Sequence, residues 1–192
     1  MKGIHRLLLP AVVAVVAAFL SPAGSLMAQE EERVPGPLVG IGEDIWRGPP
    51  QCWACHGNMA NGRNEDPRSP QGANLRESLM DVETLALVIR CGLPGTPMPY
   101  FGGTNAYAGN NPCFGTTAEA MGDQLPPQGA ANYNARQIDA LAQFIYYQFV
   151  GKGPATREEC LAFYGANASS CSRWPTQAEV DAAAPAAPAG GG

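Results

Sequence analysis

Two cysteines three residues apart, with a histidine directly after the second, form the run Cys52-Trp53-Ala54-Cys55-His56 in a surround of glycine, asparagine and proline. Three chemistries use thiols and an imidazole at such spacing. A structural zinc ion takes four ligands of this kind, and a redox motif cycles two thiols through a disulfide. A covalent haem joins both thiols to its vinyl groups and takes the imidazole on its iron. Zinc needs a second short-spaced Cys/His pair, and the sequence has none. A thioredoxin-type motif belongs on a strand-to-helix turn, and no segment alternates over enough residues to demand a sheet. His5 falls in a leader, so His56 is the one histidine of the chain that follows it. Covalent haem is the reading that uses all three side chains.

That reading calls for a second iron ligand, and with no histidine left methionine is the natural donor. Met59 follows His56 by three residues, too near to cross to the opposite face of a ring. Met80, in an apolar run before a helix, reads as core, and Met121 has no presenting loop. Met98 stands between two prolines in Gly92-Leu93-Pro94-Gly95-Thr96-Pro97-Met98-Pro99-Tyr100-Phe101. Prolines on both sides restrict the backbone and stiffen a loop that must hold a thioether against a metal. Met98 is the expected axial ligand.

Helical periodicity shows where these residues are carried. Val82, Leu85, Ala86 and Ile89 fall on one stripe, with Asp81 as cap and Gly92 as stop. Asn134 and Gln137 are placed as a capping box ahead of Ile138, Leu141, Ala142, Ile145 and Phe149, and Gly151 closes that segment. A shorter helix is expected from a Thr156/Glu159 cap to Gly165. Residues 39–46 can form two turns before Gly48-Pro49-Pro50 stop them. Long Gly/Pro/Asn connections at 57–74 and 102–133 need something large to pack on.

At this point the sequence resembles the class I c-type cytochromes over roughly Gly40 to Val150. The likeness rests on "CWACHG", on "GTPMPYF" and on the last helix, "IDALAQFIYYQF". The resemblance implies an all-α fold, a small cytochrome c-type arrangement around one covalent haem c. An N-terminal and a C-terminal helix would cross, and a third would lead into the methionine loop. It implies Cys52 and Cys55 as thioether attachments and His56 and Met98 as axial iron ligands. Trp53, Leu75, Tyr100 and Phe101 are expected to pack near the ring. Trp46, Leu85, Ile89, Leu141 and Ile145 are expected in the crevice or at the helix crossing. Arg63 and Arg90 are candidate propionate partners.

The chain departs from the family pattern in three places. Gly42 and Trp46 keep the family's mutual spacing but lie two residues farther from the first cysteine. Ala73 stands where the family often has a proline whose carbonyl accepts from the histidine Nδ1–H. Any carbonyl can serve, so the bond is still expected. Residues 102–133 form an insertion between the methionine loop and the last helix.

The ends of the chain set the compartment. Lys2 and Arg6, the apolar run Leu7–Leu20 and the small residues up to Ala28 have the layout of a secretory leader, expected at 1–28 with cleavage after Ala28. A retained anchor is the alternative, although Pro10 and the shortness of the run oppose it. Residues 29–39 are a lead-in, 40–151 the cytochrome-like domain, 152–177 an extension, and 178–192 a disordered Ala/Pro/Gly tail. Outside "CWACH" the remaining cysteines are Cys91, Cys113, Cys160 and Cys171. In an oxidising periplasm they are expected as two disulfides, most simply Cys91–Cys113 and Cys160–Cys171, the first tethering the insertion.

Two of the 12 basic residues leave with the leader, so ten face 17 acids and the net charge is near −7. Nucleic acid and anionic lipid are disfavoured as partners, and no membrane span is expected in the mature chain. A redox protein with a basic docking surface is favoured. A thioether ligand favours Fe(II), and two filled axial positions leave single-electron transfer as the expected function, not catalysis. The alternatives are a haem subunit held in a larger oxidoreductase through the insertion or extension, and a five-coordinate haem protein that binds a small ligand.

Overall fold

Short helices alternate with long irregular connections, and five of the seven α-helices begin where a side chain accepts from one of the first free amides. The computed structural model describes residues 35–49, 51–109 and 112–184. The expected leader, the first part of the lead-in and the last residues of the tail lie outside them. The helices are α1 (Val39–Arg47), α2 (Cys52–His56), α3 (Val82–Cys91), α4 (Ala118–Met121), α5 (Ala135–Gln148), α6 (Arg157–Tyr164) and α7 (Gln177–Ala183). Extended pairing among the described residues is limited to two isolated bridges, Asn61 with Asn74 and Tyr100 with Gln128. The fold is all-α, as expected. Among the described residues no helix is long and apolar enough to cross a membrane.

The caps fall where the sequence places them. The Thr84 amide donates to Asp81 Oδ1 at 2.7 Å, and Gly92 leaves α3 with a φ of 67°. Asn134 and Gln137 bond each other's backbone amides at 3.0 and 3.1 Å, a complete capping box for α5. Thr156 accepts from the Glu159 amide at 3.2 Å to open α6. One boundary needs correction. Residues 178–183, expected in the disordered tail, are helical, since α7 occupies Gln177–Ala183. Thr176 and Glu179 form a second capping box there, and the following alanines have the highest helix propensity.

The crossing of α1 with α5 builds the main core. A Cβ added at Gly42 would overlap the carbonyl oxygen of Ala140 and lie 2.5 Å from Phe144 Cβ. Glycine there lets the two backbones touch. The approach seats the fully buried Trp46 on Phe149, with ring centroids 4.9 Å apart, and against Phe144 at 6.1 Å. Helix α3 lies on the same α5, adding Leu85 and Ile89 to Leu141 and Ile145. Two smaller clusters gather around the disulfides, whose pairing is Cys91–Cys113 and Cys160–Cys171.

The extension after Gly151 packs on the chain's own loop at 57–76. Arg76 is 2% exposed, and its guanidinium binds both carboxylate oxygens of Glu159, at 3.1 and 2.7 Å, together with the Gly153 carbonyl. Met59 is fully buried against Cys160–Cys171 and Trp174, and the Tyr164 hydroxyl donates to the Asn58 carbonyl at 2.8 Å. Arg173 pairs with Glu65 at 3.0 Å.

Two substitutions test this packing. Gly42→Val should cost about 3 kcal/mol, since neither backbone nor Phe144 can yield without parting the crossing. Arg76→Ala should cost about 3 kcal/mol by leaving Glu159 and the Gly153 and Lys152 carbonyls without this donor. Urea unfolding measures both, and a loss below about 0.5 kcal/mol would contradict the respective contact.

Candidate functional site

Helix α2 is little more than one turn, and its spacing decides what it presents. Residues three and four apart share a helix face, so Cys52, Cys55 and His56 lie together while Trp53 turns away. The entry is set by Gln51 in a left-handed conformation, φ 51°, and the exit by Gly57 at φ 83°. The loop beyond then folds back over the turn. The amides of Gly62, Glu65 and Gly72 donate to the carbonyls of His56, Ala54 and Cys55 at 2.8, 3.0 and 2.8 Å. Both thiols stay unpaired while the other four cysteines are bridged.

All three side chains line one cavity of about 290 Å³. Trp46, Leu85, Ile89, Leu141 and Ile145, the five residues expected at the crevice or the crossing, form its inner wall. Met98 lines it from the loop after α3, with Pro97 and Pro99 beside it. No Asp, Glu, Lys or Arg is among the described residues that line it. The cavity brings the two thiols, the imidazole and the thioether together from segments up to 46 residues apart in sequence.

The state of each group follows from its surroundings. His56 Nδ1 lies 2.9 Å from the Ala73 carbonyl oxygen. A carbonyl only accepts, so Nδ1 carries the proton and Nε2 keeps its lone pair. Burial holds the imidazole below its ordinary value of 6.5, opposed by the Ala73 bond, and the ring is neutral at neutral pH. Burial pushes the Cys52 thiol up to about 12, and it raises Cys55 too, where a hydrogen bond with Ser69 opposes the shift. These are neutral S–H groups, not thiolates. Disulfide exchange works through the thiolate, which this burial disfavours. No group of three or more His, Cys, Asp or Glu side chains that could hold a metal ion gathers among the described residues.

The remaining expectations divide. Leu75 and Phe101 line the cavity; Trp53 and Tyr100 do not. Trp53 packs against the main core from its partly exposed side. Tyr100 precedes Phe101 in an extended segment, where neighbouring side chains point to opposite sides. It packs instead on the Cys91–Cys113 cluster, its ring edge-on to Tyr107 at 5.4 Å. Arg63 and Arg90 are absent from the lining, and Arg90 borders a separate cleft with Glu83 and Asp139. Met80, read as core, is 38% exposed at the edge of the cavity, because it precedes α3 and not its buried stripe. Val88 was missed, although it lies one turn after Leu85. Gln71 and Thr96, the polar lining, carry no motif that would have marked them.

No family model, curated protein or solved structure matches the chain. Its functional reading therefore stands on these residues. They fit a covalently attached haem in their donors: two neutral thiols on one face, an imidazole with Nε2 unprotonated, a thioether, and apolar walls for a macrocycle.

Gly72 tests how the imidazole is held. A Cβ there would lie 2.8 Å from His56 Nδ1 and 3.0 Å from Cε1. Gly72→Val should tilt the ring off the Ala73 carbonyl. The ¹⁵N shifts of His56 should report Nδ1–H in the parent and mixed tautomers in the variant. Identical shifts would show that the carbonyl does not fix the ring.

Proposed function

We propose that the chain is an exported electron-transfer protein of the class I c-type cytochrome kind, working in the periplasm with one haem c. The observation that carries this reading is the convergence of Cys52, Cys55, His56 and Met98 on one apolar cavity. The group would supply a metal centre that gains and loses one electron without making or breaking substrate bonds. Cys52 and Cys55 anchor it, which keeps it with an exported chain. The Ala73 carbonyl orients His56 and raises the basicity of its Nε2. Met98 would supply a second ligand to the metal, and no open coordination site would then remain for substrate. The inner wall keeps water from the metal, and the partly exposed Met80 and Leu93 mark the edge that a partner can approach.

A diffusible carrier is favoured over a fixed subunit. The extension, which could have formed a permanent interface, is occupied by Arg76, Asn58 and Glu65 of the same chain. The partner is then a redox protein with a basic docking surface, approached through complementary fields that salt weakens. Electrons would pass from a dehydrogenase or quinol-oxidising complex to a downstream acceptor.

The deciding measurement is the absorption spectrum of the exported protein, oxidised and reduced. A c-type spectrum with a near-infrared sulfur-to-iron band, unmoved by carbon monoxide and without that band in Met98→Ala, is the expected outcome. A high-spin spectrum that shifts with carbon monoxide would replace electron transfer with ligand binding. A protein exported without haem would refute both.

A further inference from the structure

The loop that presents Met98 has few amides of its own. Pro94, Pro97 and Pro99 contribute none, so between residues 93 and 101 only six N–H groups can fix the backbone. Three bond within the loop: Leu93 to the Met98 carbonyl at 3.2 Å, Thr96 to Leu93 at 3.1 Å, and Met98 to the Thr96 hydroxyl at 3.2 Å. Phe101 donates back to Ile89 of α3 at 3.0 Å. The other two, Gly95 and Tyr100, bracket Met98 on either side. Both donate to the insertion, to the carbonyls of Gln124 at 2.9 Å and Pro127 at 3.0 Å.

The insertion returns the contact. The Gly129 amide donates to the Tyr100 carbonyl at 2.9 Å, and Tyr100 bridges Gln128 in parallel register. Fit closes both ends of this stretch. A Cβ at Gly92 would lie 2.7 Å from Pro126 Cβ and 2.8 Å from the Met98 carbonyl oxygen, so three segments meet there with no spare volume. At the other end a Cβ on Gly129 would overlap the ring of Phe101, which lines the cavity beside Met98. Pro126 itself is fully buried. The far part of the insertion is tied to the root of the same loop. Cys113 bridges Cys91, the last residue of α3, and the Tyr107 hydroxyl donates to the Cys91 carbonyl.

We infer that residues 124–129, tethered through Cys91–Cys113, are a strut that positions the Met98 thioether. The inference rests on Met98 being an axial ligand. Its residues are positioning residues, since they act through the backbone of the Met98 loop. In chemical terms the insertion supplies the acceptors that a proline-rich loop needs but cannot find within itself. Without it, the amides of Gly95 and Tyr100 turn to water and the thioether gains a competing unbound state.

The test uses the full holoprotein in four forms: the parent, Cys91→Ser/Cys113→Ser, Pro126→Ala, and Cys160→Ser/Cys171→Ser as a control. The control removes a disulfide of similar kind that belongs to the other cluster. The readouts are the sulfur-to-iron band against pH, carbon monoxide binding by the ferrous protein, and amide exchange at Gly95 and Tyr100. Loss of the first disulfide should speed exchange at both amides by about tenfold or more, raise carbon monoxide binding in parallel and weaken the band. Pro126→Ala, with both disulfides intact, should move all three the same way by a smaller factor, and it decides the matter if the double variant fails to fold. The control should lower stability and leave the three readouts at parent values. Unchanged readouts in the strut variants, or an equal change in the control, would overturn the inference while the electron-transfer reading stood. A parent without the band would instead remove that reading.

Discussion

The contact of Gly42 with the backbone of Ala140 governs how the rest of the domain can be arranged. Two helices that meet without a side chain between them bring every other residue at the crossing closer. Trp46 is thereby pressed onto Phe149 and Phe144, and it lines the cavity together with Leu141 and Ile145. Helix α3 supplies the opposing apolar stripe. A gap between these surfaces is costly if empty and favourable if filled by an apolar group, because burial of that kind contributes about 25 cal/mol per Å². The crossing thus makes both the core and one wall of the cavity.

Loops fill much of the remaining chain, and different physics holds each of them. The stretch at 57–76 turns on glycines and is locked from outside by a buried ion pair, Arg76 with Glu159. The insertion carries little regular structure, and it is held by one disulfide and by acceptors it lends to the Met98 loop. These devices suit their tasks. A bidentate guanidinium fixes direction as well as distance, which matters beneath a histidine that must keep one tautomer. A disulfide limits how far a segment departs when it opens, which suits a loop whose own hydrogen bonds are sparse.

Much of this was legible in the sequence, for reasons local to particular residues. Caps are short-range chemistry, so Asp81, the Asn134/Gln137 box and Thr156 located their helices. "CWACH" fixes its own geometry because i, i+3 and i+4 share a face. Elimination among four methionines pointed to Met98 because only one had prolines to stiffen it, and Met98 lines the cavity, with Met80 at its edge. What stayed hidden depends on distant partners. Nothing near Arg76 announces that Glu159 will bury it, and Tyr100 looks as suited to the cavity as Phe101 until an extended backbone sends them apart. The helix at Gln177–Ala183 was concealed differently, since its alanine-rich composition reads as a tail unless the Thr176/Glu179 box is weighed above it.

The charge pattern gives the proposed centre a direction. A neutral imidazole and a thioether bring no charge to the metal, and no ionised side chain lines the cavity among the described residues. In such surroundings the more highly charged state is the more penalised, which favours the reduced form. The acids of the chain pull the other way, with a net charge near −7 once the expected leader is gone. Among the described residues none lines the cavity, and mobile ions screen exposed charges beyond roughly 8–10 Å. The near environment therefore outweighs the surface. In the proposed function, ligand softness and apolar walls would set the tendency to hold an electron, and the acidic exterior would act where screening is weakest, in the first approach of a basic partner.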